Sequence, residues 1–118
     1  MTELAIGVDI GGTKVAGGVV NAAGEVIART RRDTPHRSTS PDVVEDTIVS
    51  VVEELLAYHA DRVVAVGIGA AGFVAADRAT VVFAPHLSWR HEPLRDALSS
   101  RLALPIFVDN DANAAIWA

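Results

Sequence analysis

The chain has 118 residues, enough for one domain with a real core and too few for two. Half of the residues are hydrophobic and 21% are charged, the composition of a soluble globular domain. The net charge of -5 argues against a nucleic-acid surface, and the one basic cluster, Arg29, Arg31, Arg32 and Arg37, has Asp33 in its midst. That cluster reads as a solvated strand end and loop. There is no cysteine, which excludes disulfides and cysteine-ligated zinc within these residues. His36, His59, His86 and His91 show no metal-ligand spacing. No apolar run reaches the about 18 residues a membrane helix needs. The first residues lack the charged region and cleavage site of a signal peptide, so the default expectation is the cytoplasm.

Leu4 to Ile10 is mostly apolar and predicts a strand buried on both faces. Gly11-Gly12 breaks the pattern, and Lys14 to Val20 predicts a second strand. Asn21-Ala22-Ala23-Gly24 predicts a turn with Gly24 at positive φ. Glu25 to Arg31 alternates polar and apolar, as a half-exposed third strand does. Two tight turns joining three strands imply an antiparallel meander. Thr34 to Ser40 is a polar loop. Ser40 then suits an N-cap, Pro41 a first helical position, and Asp42 the positive end of the helix dipole. Val44, Ile48, Val51, Val52 and Leu55 follow helical spacing, and the helix fades near His59.

Val63 to Ile68 predicts another buried strand, with Gly67-Ile68-Gly69-Ala70-Ala71-Gly72 as a glycine-rich loop after it. Phe73 to Ala84 predicts a short hairpin turning at Asp77-Arg78, and Pro85 to His91 is irregular. Pro93 opens a second helix with Leu94, Ala97, Leu98 and Leu102 on its apolar face. Pro105 stops it, Ile106 to Val108 predicts a strand, and Asp109-Asn110-Asp111 caps a helix beginning near Ala112. The order is α/β, an antiparallel meander feeding a parallel sheet. The last helix runs only to Ala118, without a glycine stop or a basic last turn, and so short a helix is not stable alone. The expectation is a piece of a longer protein.

Three segments carry candidate chemistry. In Asp9-Ile10-Gly11-Gly12-Thr13-Lys14 a plain hairpin turn is the structural alternative, since Gly-Gly between strands is a common hairpin signal. The functional reading is a phosphate cradle. Glycines admit an anion close to the backbone, Thr13 adds a hydroxyl donor, and Lys14 adds a cation. Asp9 at the end of a buried strand makes sense as a carboxylate near Mg²⁺. Gly12-Thr13-Lys14 opens a strand, so this is not a Walker A motif. Gly67 to Gly72 matches GxGxxG, but strands follow it, and no acidic residue closes a strand about 20 residues on. In Asp109-Asn110-Asp111-Ala112-Asn113 helix capping explains one polar residue. Four exceed that need, and the carboxyl ends of strands are where α/β proteins bind ligands. Asp111 suits a general base and Asn110 a partner for hydroxyls.

Together Asp9 to Lys14, Val66 to Gly72 and Asn110-Asp111-Ala112-Asn113-Ala114-Ala115 resemble the ordered signatures of the ROK family (repressors, open reading frames, kinases). Phe83-Ala84-Pro85-His86-Leu87-Ser88-Trp89-Arg90 with Glu92-Pro93-Leu94 is similar to the stretch of bacterial, particularly actinobacterial, ROK glucokinases. The resemblance implies the actin-like ATPase, RNase H-like fold, with a β-β-β-α-β-α-β core. It implies residues 1–110 as an N-terminal small lobe for phosphate and sugar. Residues 111–118 would start the catalytic helix leading to a C-terminal lobe.

Carried over residue by residue, Gly11, Gly12, Thr13 and Lys14 lie against the phosphates of ATP, and Asp9 faces its Mg²⁺. Gly72 and Asn110 adjoin the sugar, and Asp111 is the catalytic base toward the 6-hydroxyl. Ala71 stands where the family usually has proline, and Asp109 where it often has glutamate. A sugar-binding Glu and His, a cysteine-rich structural zinc site and the adenosine pocket are implied further along, none of them in these residues. The 118 residues alone are therefore expected to have little or no kinase activity. The expected partners are a sugar and ATP, with no nucleic acid and no membrane, and the whole protein is expected to be a homo-oligomer. A ROK kinase for another hexose or N-acetylhexosamine is the near alternative. A sugar-responsive ROK repressor is the distant one, which would need a DNA-binding segment ahead of a first strand that begins by about Leu4.

Overall fold

The structure is a computed structural model, and it describes residues 3–11, 13–35, 40–59, 62–70, 73–74, 81–83, 90–92 and 94–109. Three strands open the chain: β1 (Leu4–Ile10), β2 (Lys14–Asn21) and β3 (Val26–Asp33). They form the expected antiparallel meander. The second turn is built as its sequence dictates. Asn21 Oδ1 accepts from the Ala23 and Glu25 amides at 3.0 and 2.9 Å, and Gly24 sits at φ 84°. A side chain at that φ would be strained, which is why glycine stands there.

Helix α1 (Pro41–His59) follows, and the Val43 amide donates to the Ser40 carbonyl at its start. Its buried face is the predicted one, Val44, Ile48, Val51, Val52 and Leu55, with Glu45 and Val49 added. This face packs on β1, β2 and β3. Gly17 lets it come close: a Cβ there would lie 2.3 Å from Val51 Cγ1 and 3.2 Å from Leu55 Cδ1.

Next come β4 (Val63–Ala70), a small antiparallel sheet of β5 (Phe73–Val74), β6 (Val81–Phe83) and β7 (Arg90–Glu92), then α2 (Leu94–Ser99) and β8 (Ile106–Asp109). The main sheet has the order β3-β2-β1-β4-β8. β4 and β8 run parallel to β1, and β2 is the strand that runs against the rest. Helix α2 packs on β8 and touches α1, so the two helices share one face of the sheet. Between them and the sheet lies one core, in which Val8, Ile68 and Val108 stand in one register row and Ile6, Val66 and Ile106 in the next. Arg101 Nη1 ties the segment after α2 to Asp46 of α1 at 2.6 Å.

The structure corrects three expectations. The strand expected to end at Ile68 runs on to Ala70, so Gly69 is a strand residue, paired with Asp9 of β1, and not part of a loop. The parallel ladder continues because backbone bonds do not require side chains. Arg90–Glu92 forms a third small strand against Val81 and Phe83 where an irregular segment was expected. Helix α2 ends at Ser99, short of Leu102, which is nonetheless buried in the core. The Asp77-Arg78 turn, Pro93 and the helix expected from Ala112 lie outside the described residues.

Candidate functional site

Register brings Asp9, Gly69 and Asp109 together at the carboxyl ends of the parallel strands. Asp9 on β1 pairs with Gly69 on β4, and Gly69 pairs with Asp109 on β8. The three positions form one row across the sheet, one residue from the ends of β1 and β4 and at the last residue of β8. Asp9 is exposed, between buried Val8 and Ile10, so it lies on the face opposite the helices. Gly69 beside it adds no side chain, which leaves room along the row.

The β1–β2 turn adjoins Asp9. The Gly11 amide donates to the Lys14 carbonyl at 2.8 Å. A Cβ on Gly11 would stand 3.2 Å from that same carbonyl oxygen, so the closed turn favours glycine. Thr13 and Lys14 are exposed at its rim. Residues just past β3 hold the turn from outside. The Thr34 amide donates to the Thr13 carbonyl at 2.9 Å, and Thr34 Oγ1 donates to the Gly11 carbonyl at 2.8 Å. The sequence places Thr34 only at the start of a polar loop. The pairing of Lys14 with Asp33 is what brings it to the turn.

Lys14, expected as a cation for phosphate, forms an ion pair with Asp33. The hydrogen bond and then the charge of Lys14 hold the Asp33 carboxyl below the usual aspartate range. The contribution of this exposed pair is full above the ordinary aspartate value and is lost as pH falls through the lowered one. In an NMR titration the Asp33 carboxyl should titrate below a normal aspartate, and Lys14→Met should return it to the normal range. An unshifted Asp33 in the unsubstituted protein would show that the pair does not hold in solution.

Gly12, Gly72, Asn110 and Asp111 lie outside the described residues. In sequence they include the two residues that directly follow Asp109, the last residue of β8, and Asp109 lies at the same end of the sheet as Asp9. Among the described residues no group of three or more His, Cys, Asp or Glu side chains gathers to hold a metal ion. Among the described residues no helix is long and apolar enough to cross a membrane.

Comparison with known proteins gives a consistent picture. The sequence model of the ROK family matches residues 5–118. The chain is 50% identical over 114 residues to a glucokinase of Streptomyces coelicolor, an alignment covering 97% of this chain and 34% of that protein. It is 37% identical over 120 residues to an N-acetylmannosamine kinase of Escherichia coli, covering 100% of this chain and 38% of that protein. Among solved structures it superposes on a ROK family glucokinase from Streptomyces griseus, in complex with glucose and AMPPNP, with a TM-score of 0.85. The identity there is 49%, over 97% of this chain and 35% of the other. The chain thus spans about a third of the length of the curated relatives it matches. Its sheet is that of the actin-like ATPase fold.

Proposed function

Because this chain belongs to the ROK family, we propose that the whole protein is a glucokinase that transfers the γ-phosphate of ATP to the 6-hydroxyl of glucose. The observation that carries this reading is the row of Asp9, Gly69 and Asp109 at the ends of three adjacent parallel strands, with the Gly11 to Lys14 turn beside it. Phosphoryl transfer asks the protein mainly for positioning and electrostatics, and such a row with its turn offers both. Identity of 50% to a glucokinase, against 37% to an N-acetylmannosamine kinase, favours glucose as the acceptor.

In this reading residues 1–110 form the lobe that receives phosphate and sugar. Backbone N–H groups of Gly12 and Thr13 and the Thr13 hydroxyl face the donor phosphates, with Gly11 lining the turn and Lys14 at the rim. Asp9 would share a Mg²⁺ ion with them; bound there, the ion would neutralise charge on the phosphates. Asn110 hydrogen-bonds the sugar hydroxyls and the Gly72 segment lies alongside. Asp111 accepts the proton of the 6-hydroxyl as that oxygen bonds to the γ-phosphorus and the bond to the β–γ bridging oxygen breaks, releasing ADP. A cytoplasmic location and a homo-oligomeric whole protein belong to the same proposal.

The test is a coupled ADP-release assay on the whole protein with glucose, fructose, N-acetylglucosamine and N-acetylmannosamine. Glucose should give the highest kcat/KM. A higher value for an N-acetylhexosamine would replace glucose as the substrate, and no ADP release with any sugar would sink the kinase reading.

A further inference from the structure

Resting on the kinase reading above, we infer that Thr34 is a positioning residue for the donor phosphates, its hydroxyl holding the β1–β2 turn in the orientation that receives them. Thr34 is half-buried and bonds the turn twice, from its amide to the Thr13 carbonyl at 2.9 Å and from Oγ1 to the Gly11 carbonyl at 2.8 Å. The Gly11 amide is bonded to the Lys14 carbonyl at 2.8 Å. The carbonyls of Gly11, Thr13 and Lys14 therefore all have donors within the protein.

In a trans peptide the C=O and the N–H of one unit point opposite ways. Drawing the Gly11 and Thr13 carbonyls toward Thr34 turns the N–H groups of those two units away from it. N–H groups turned to one side are what an anion cradle requires. A turn with two adjacent glycines would otherwise sample many orientations, and fixing it before the ligand arrives removes that cost from binding.

Neighbouring residues assist Thr34. Pro35 after it disfavours helical backbone at Thr34 and keeps it extended. Asp33 before it pairs with Lys14 at the far side of the turn. The amide bond of Thr34 survives most substitutions, whereas the bond from Oγ1 needs a hydroxyl, so the inference is specific to that atom.

The test compares Thr34→Val, which keeps the shape and removes the hydroxyl, with Thr34→Ser, which keeps it. In the whole protein Thr34→Val should raise the KM for ATP about tenfold, the effect of one lost hydrogen bond that leaves its acceptor unpaired. The KM for glucose should stay within about twofold, and Thr34→Ser should return the ATP value to near normal. An unchanged KM for ATP, or a rise shared equally by ATP and glucose, would overturn the inference while leaving the kinase reading in place. If the unsubstituted protein turns over no sugar, the kinase reading is what fails. ADP binding measured by calorimetry then decides on Thr34: about tenfold weaker binding by Thr34→Val upholds its role, and equal affinity overturns it.

Discussion

Asp111→Asn in the whole protein is expected to lower kcat with glucose by about 10²- to 10⁴-fold, the range that general-base catalysis contributes. Asparagine matches aspartate in size and still offers a carbonyl oxygen to a sugar hydroxyl. It has no carboxylate to take the proton as the 6-hydroxyl attacks. Glucose affinity, measured by calorimetry without ATP, should therefore stay within a few-fold, because hydrogen bonds to the bound hydroxyl survive. That split between turnover and binding separates a base from a residue that merely caps a helix. Loss of a cap would lower stability and leave the chemistry of the remaining folded enzyme unchanged. Near-normal turnover by Asp111→Asn would refute the assignment and return Asp109-Asn110-Asp111 to a capping role.

Gly17→Val should lower stability by about 3 kcal/mol, the upper range for overpacking a close-packed core. Gly17 lies beneath α1, and even a Cβ there would stand 2.3 Å from Val51 Cγ1. Val51 is fully buried and β-branched, so it has few other rotamers to take. Valine at 17 adds two methyl groups beyond that Cβ. Helix α1 would have to lift off β2, opening contacts around Ile48, Val52 and Leu55 as well. In urea denaturation the midpoint should fall by about 1 M or more, given a slope of about 1–3 kcal/mol per molar. At Gly24 no atom lies within 4 Å of the place a Cβ would occupy, so the cost of substitution there would come only from the positive φ. A Gly17→Val midpoint equal to that of the unsubstituted protein would mean that α1 does not pack on β2 as closely as described.

Much of the architecture was legible because its signals are local. Asn21 to Gly24 encodes its turn through one side-chain oxygen and one glycine. Val44, Ile48, Val51, Val52 and Leu55 encode the packed face of α1 through spacing alone. The strand nature of Gly69 was hidden, because glycine carries no pattern and a parallel ladder depends on a partner far away in sequence. Arg90-His91-Glu92 was hidden for a related reason: three polar residues look like loop until β6 pairs with them. The ion pair of Lys14 with Asp33 could not be read either, since the turn between β2 and β3 sets which residues face each other.

The amino-acid sequence by itself determined the order of elements, the apolar faces of α1 and the strands, and the polar candidates at the three strand ends. These are properties of neighbouring residues and need only backbone preference and hydrophobic period. The tertiary structure alone decided that Asp9, Gly69 and Asp109 share one row, that α1 rests on Gly17, and that Thr34 grips the Gly11 carbonyl. Each of these depends on strand register, and a slip of one residue would turn Asp9 into the core and Val8 out of it. Packing the apolar rows of Ile6, Val66 and Ile106 and of Val8, Ile68 and Val108 against the helices forbids that slip. The hydrophobic core thereby fixes the position of the polar site on the opposite face.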